Sequence, residues 1–172
     1  MADKKAQSKS RTLGQKRFQD AGKLTLTHLD DSSKAKMVDV GHKPDVKRMA
    51  VARGHVHLAK KTIRLIKASQ MKKGEVLAVA KIAGLQAAKK TSELIPLCHP
   101  LLLTNVQLSF LIKENDVEIE SRVECFGKTG VEMEALTAVA VAALTIYDMC
   151  KAIDKQMRIG DIYLCQKSKQ SV

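Results

Sequence analysis

The sequence predicts an α+β fold: a ferredoxin-like βαββαβ sandwich, with an antiparallel sheet and helices on one of its faces. Three observations predict it. The spacing of apolar residues switches along the chain between two and about 3.6. From Arg48 onward the resulting order is strand, helical pair, strand, strand, helix, strand. Two of these strands flank a short polar turn at Glu114–Asp116 and alternate between an apolar and a wet face, as an antiparallel hairpin does.

Taken in order, residues 1–23, MADKKAQSKSRTLGQKRFQDAGK, are polar, basic and aperiodic, and read as a disordered basic arm. A transit segment has a similar composition, although Asp3 and Asp20 count against one. Residues 24–172 are expected to form one domain. KMVDVG, 36–41, is a candidate short strand, and RMAVARGHVHL, 48–58, a second strand. HLAKKTIRLIKASQ, 57–70, carries Leu58, Thr62, Leu65 and Ile66 at helical spacing under a basic outer face. KKG, 72–74, interrupts it, and EVLAVAKIAGLQAAKKTSELI, 75–95, resumes as helix until Pro96. Val106, Leu108, Phe110 and Ile112 then alternate with Gln107, Ser109 and Leu111. After the turn, Val117, Ile119, Ser121 and Val123 share one face. GKTG precedes a long helix over 131–155, and RIGDIYLCQKS, 158–168, closes as a strand.

Composition narrows the function classes. With 172 residues, 45% of them apolar and only 3% aromatic, the chain can bury a core made of Leu, Ile, Val, Ala and Met. The longest apolar run within 136–153, Ala138–Leu144, is far shorter than the roughly 20 residues of a membrane span, and no signal-peptide core is seen. The four cysteines, Cys98, Cys125, Cys150 and Cys165, form no CxxC pair, so reduced structural thiols in a cytosol-like compartment are expected rather than a metal site. The net charge is +12 and uneven: Lys34–Lys90 holds 15 Lys and Arg against three acids. That imbalance suits a polyanionic partner, whether a nucleic acid, a phosphorylated metabolite or an acidic lipid surface.

Several constellations could carry chemistry. GKTG lacks the earlier glycine of a P-loop, since Arg122 stands there, but it still feeds backbone N–H groups into a helix start. Thr129 and Glu132 fit a capping box, which leaves Glu132 equally open to a cap or a site role. Glu134, crowded by Glu132, suits acid–base work if its pKa rises, although a solvated first-turn glutamate is the commoner outcome. In PLCHP, 96–100, Cys98 and His99 point to opposite sides of an extended segment, which disfavours a catalytic dyad. His99 is either structural or a phosphate or base contact. Lys73, Lys81, Lys89 and Lys90 flank or punctuate an alanine-rich helix without interleaved acids, and Lys81 and Lys89 share a face. Asp148 and Lys151 are helix neighbours: a solvated pair of little consequence, or a proton-handling pair at a pocket edge.

KMVDVG, KKGEVLAVAKIAGLQAAKKTSELIPLCHP, KTGVEMEALTAVAVAALTIYDMCKA and IGDIYL together resemble the cyclic pyranopterin monophosphate synthase family, the second enzyme of molybdenum cofactor biosynthesis, over about Leu24–Lys167. The resemblance implies a ferredoxin-like subunit in a homohexamer, a trimer of dimers with active sites at dimer interfaces. It implies a lyase that converts a cyclised dihydroguanosine triphosphate into cyclic pyranopterin monophosphate and pyrophosphate. Asp148 matches the family's acid–base residue, and Lys151 and Lys73 its key lysines. Leu97, Cys98 and His99 match one substrate-binding stretch, Met133 and Glu134 another, and Glu132, Arg48, Lys89 and Lys167 match further pocket positions. No cofactor is implied, and whether Mg²⁺ rides on the triphosphate is left open. A cytoplasmic location follows, or the mitochondrial matrix if the arm directs import. The resemblance breaks at the end: the family commonly has a glycine-rich KSGG-type tail where this sequence reads QKSKQSV.

Two rivals belong to other classes. A basic ferredoxin-like module could bind RNA, but such domains stack bases on neighbouring sheet aromatics, and this sequence has only Phe18, Phe110, Phe126, Tyr147 and Tyr163. An inactive assembly partner would keep the fold without the chemistry, and the intact Asp148, Lys151 and Lys73 argue against it.

Overall fold

The computed structural model describes residues 34–171. Chain contacts divide the protein into two units, Met1–Val38 and Asp39–Val172, and the fold and sites described below belong to the second. The expected arm, 1–23, and the first residues of the expected domain lie outside the described residues.

Strand β1 (Val46–His57) leads into α1 (Lys60–Lys67), α2 (Val76–Lys89) and the single turn α3 (Thr91–Leu94). The hairpin β2 (Leu103–Ile112) and β3 (Asp116–Gly127), then α4 (Glu132–Cys150) and β4 (Arg158–Gln170), complete the chain. The sheet order is β2-β3-β1-β4 with every pairing antiparallel, the βαββαβ arrangement expected. Alternation decides which face is which. Ala50, Ala52 and Val56 of β1, and Val117, Ile119, Ser121 and Val123 of β3, are buried on the helix side. The opposite side carries a charged lattice in which Arg53 meets Glu120 at 2.6 Å and Arg122 meets Glu124 at 2.9 Å.

α2 and α4 run antiparallel over the apolar face. Their approach depends on Gly84, where an added Cβ would lie 2.5 Å from Leu108 Cδ2 and 2.8 Å from the Ala138 carbonyl oxygen. Ser121 Oγ donates to the Ala135 carbonyl at 2.7 Å and so fastens β3 to the first turns of α4. By length and composition α4 could cross a membrane, but over half of that apolar stretch is buried within the fold, as suits a central core helix.

Four local expectations change. Residues 36–41 form no strand; Asp39 Oδ1 accepts the Gly41 N–H at 2.8 Å and Lys43 N–H reaches the Val40 carbonyl, which makes a turn. The first helix begins at Lys60, because β1 continues through His57. The second ends at Lys89, where the Thr91 hydroxyl turns back onto the Ala87 and Ala88 carbonyls. The last helix stops at Cys150, several residues before the expected 155.

Candidate active site

The predicted residues collect at the two ends of α4. At its C-terminal end, Asp148 is the one charged side chain after Glu134 in this otherwise apolar helix. Its carboxylate is 56% exposed and lies between two lysines: Lys151 Nζ is 2.7 Å from Oδ1, and Lys73 Nζ is 2.9 Å from Oδ2. Lys73 also donates to the Asp148 carbonyl oxygen at 3.0 Å, satisfying an acceptor that the helix end leaves free. It reaches there from the α1–α2 loop. That loop turns through Ser69 (φ 53°) and Gly74 (φ 88°), and the second value suits a residue without Cβ. Hydrogen bonds from Lys151 first, and from Lys73 second, hold the Asp148 carboxyl down to about 2. Asp148 in turn raises the Lys151 ammonium above its ordinary value. The cluster is therefore a carboxylate held ionised between two lysine side chains.

At the N-terminal end the capping box does not form. Helix α4 begins at Glu132, after Val131, with no side-chain cap, so Thr129 does not serve as one. The Glu132 carboxylate instead lies 3.2 Å from Lys167 Nζ. Glu134 is buried, at 4% exposure. The commoner expectation, a solvated first-turn glutamate, does not hold: burial, the largest cause, and the smaller repulsion from Glu132 push its carboxyl up, while a backbone hydrogen bond opposes both. Met133, the residue between them, is partly exposed.

Arg48 holds the GKTG loop, donating from Nη2 to the Lys128 carbonyl at 2.9 Å and, at longer range, from Nε to that of Gly127. A cavity of about 330 Å³ opens beside it, lined by Arg48, Met49, Gly130, Glu132, Lys167 and Lys169, among others. Lys169 was missed by sequence reasoning. Its signal is the register: Lys169 pairs directly with Arg48 across β1 and β4, and like charges in that position repel unless something anionic is expected between them. With the start of α4 adding its partial positive charge, the cavity favours a phosphate.

Leu97, Cys98 and His99 are half-buried in the segment joining α3 to β2, at this same end. Burial first and Glu134 second push the Cys98 thiol up, which keeps it protonated and weakens it as a nucleophile. His99 makes no hydrogen bond or ion pair to a described residue. Lys89, also at this end, faces a separate cavity of about 460 Å³ with Leu85 and residues 101–106. Within one chain, then, nine of the predicted residues lie towards one end of α4 and Lys73, Asp148 and Lys151 at the other. Glu134 and Asp148 are separated by about 21 Å of helix axis.

The two exposed aromatic residues of the sheet do not form a stacking platform. Phe126 pairs with Lys47, and Tyr163 with Arg53, about 20 Å apart along β1. Among the described residues no group of three His, Cys, Asp or Glu side chains is arranged to hold a metal ion.

A model of the MoaC family matches residues 37–170. The chain is similar to the cyclic pyranopterin monophosphate synthase of Heliobacterium modesticaldum, with 61% identity over 145 residues, 83% of this chain and 91% of the relative. It is similar to proteins of the same name from a Roseiflexus species, at 59% identity over 83% of this chain and 92% of the relative, and from Listeria welshimeri, at 56% over 83% and 90%.

Proposed function

The chain belongs to the MoaC family, and from that premise we propose that it is a cyclic pyranopterin monophosphate synthase. It takes 3′,8-cyclo-7,8-dihydro-GTP to cyclic pyranopterin monophosphate and pyrophosphate, in molybdenum cofactor biosynthesis. One observation carries the reading: α4 bears a lysine-clamped acid at one end and a cationic cavity at the other. The reaction needs both kinds of site, proton transfers to open a ring and rebuild the pterin skeleton, and cations to compensate a triphosphate and the departing pyrophosphate.

Asp148, Lys151 and Lys73 are the catalytic residues of this reading. The two lysines protonate ring atoms, and as each gives up its proton its hold on Asp148 loosens, so that the carboxylate can take a proton from the substrate in turn. Arg48, Lys89 and His99 hold phosphates, Lys167 lines the same pocket as Arg48, and the reading calls for no resident cofactor. Glu132, Met133, Glu134, Leu97 and Cys98 bound the substrate. A cytoplasmic location fits the free thiols.

The separation of about 21 Å is longer than the nucleotide, so a single copy cannot bring both ends to one substrate. We place the active site between two copies in a homo-oligomer, with the Asp148 end of one against the Arg48 end of the other; a hexamer built as a trimer of dimers provides three such dimers. Exposed Leu144 of α4, and Val79 and Ile82 of α2, supply apolar surface for such assembly. The test mixes two inactive variants. Asp148→Asn and Lys167→Ala chains, unfolded and refolded together, should recover about a quarter of wild-type turnover, because random pairing leaves one intact site in half of the dimers. Recovery of nothing from well-folded mixed oligomers would rule out the shared site, and a wild-type protein inert on the cyclised nucleotide would refute the activity.

A further inference from the structure

Asp154, just beyond α4, is 94% buried by its 6% exposure and forms no ion pair among the described residues. Its Oδ2 accepts the Ala59 N–H at 2.7 Å and the Thr62 hydroxyl at 3.0 Å, and its Oδ1 the Gln156 N–H at 3.3 Å. Ala59 is the N-cap residue of α1, and α1 has no side-chain cap of its own. A carboxylate from the far end of the sequence therefore caps this helix, where the backbone N–H groups and the helix dipole both favour negative charge. Two basic residues, Lys60 and Lys61, open α1 and make such an anion more valuable there.

Both sides of this link lead to the acid–amine cluster. On one side, the Asp154 N–H closes onto the Cys150 carbonyl at 3.1 Å, so Lys151 lies inside a turn pinned by backbone at one end and by the Asp154 side chain at the other. On the other side, α1 runs directly into the loop that carries Lys73, fixed by Gln70 N–H to the Leu65 carbonyl and Gly74 N–H to the Met71 carbonyl. Exposed ion pairs gain little free energy and do not by themselves hold two long lysine side chains on one carboxylate. The scaffold beneath must fix them.

We propose that Asp154 is a positioning residue: by capping α1 from the turn after α4, it holds the Lys73 loop and the Asp148–Lys151 turn at one fixed separation. The inference rests on the proposed function for its catalytic consequence and on the fold alone for its geometric one.

The experiment compares wild type with Asp154→Asn, Thr62→Val and, as a control for simple destabilisation, Ile119→Ala in the sheet core. Asparagine keeps the shape but loses the charge that the cap uses. Two quantities are read: the titration midpoint of the Asp148 carboxyl by carbon-13 NMR, and kcat and KM on the cyclised nucleotide. Asp154→Asn should move the Asp148 midpoint up from about 2 and lower kcat by about 100-fold with KM unchanged, since misplaced groups slow chemistry more than they weaken phosphate binding. Thr62→Val, which removes one of the three donors, should shift both in the same direction by less, and it decides the matter should Asp154→Asn not fold. Ile119→Ala should lower Tm while leaving kcat and the midpoint as they are. An Asp148 midpoint still near 2 in Asp154→Asn, with kcat unchanged and Tm lowered as in the control, would overturn the inference. Should wild type show no turnover, the activity assignment fails and the NMR midpoint alone judges the role of Asp154.

Discussion

The two ends of α4 carry the same functional group and treat it in opposite ways. Glu134, at the first turn, is favoured by the helix dipole, yet burial pushes its carboxyl up. Asp148, near the last turn, is disfavoured by that dipole, yet two lysines hold its carboxyl down to about 2. A dipole contributes roughly 0.3–1 kcal/mol at an exposed helix end, so it yields to burial at one end and to direct hydrogen bonds from ammonium groups at the other. The surroundings at each end, rather than the helix itself, thus drive the two carboxyls apart.

The largest expected effect breaks this contrast at its exposed end. Asp148→Asn, or Lys73→Ala, should lower product formation by roughly 10²–10⁴-fold while the chain still folds and binds the triphosphate, as measured by single-turnover assay and calorimetric binding. Normal rates in both variants would remove proton transfer from that end.

A smaller effect should move both ends together. Gly84→Ala pushes a methyl against the Ala138 carbonyl, midway along α4, and should destabilise the fold by about 1–3 kcal/mol in urea denaturation. A neutral result would mean that α2 and α4 can separate without cost.

The smallest sharpens the comparison by pH. Because the folded pKa of Glu134 is raised, folding is favoured below its ordinary pKa and loses stability as pH rises through the folded value. Glu134→Gln should therefore have a higher Tm than wild type at pH 7, with the gap closing towards pH 4, and with activity reduced. Asp148 has the reverse profile. Its contribution is present above about pH 4 and is lost as pH falls through about 2, and Asp148→Asn should erase that acid limb. Thermal melts from pH 2 to 8 check both signs, and parallel profiles for the two variants would contradict the opposed environments.

The chain itself determined the strand and helix periods, the order of elements and the pairing of Asp148 with Lys151, because these depend on residues within a few positions of one another. It also supplied, by resemblance, the residues that gather at each end of α4. Tertiary structure alone decided the rest. The Thr129–Glu132 box looked complete on local spacing, but Lys167 arrives from β4 to engage Glu132 and the helix starts later. On local spacing Glu134 reads more readily as a solvated first-turn glutamate, yet it is buried, and burial, which no local spacing reports, is the main cause that raises it. The pairings of Lys73 with Asp148, Arg48 with Lys169, and Asp154 with α1 each join segments far apart in the chain. Local sequence fixes torsions and faces. Which charges meet, and how much water reaches them, is set only when distant segments pack, and electrostatic energy depends on that distance and that water.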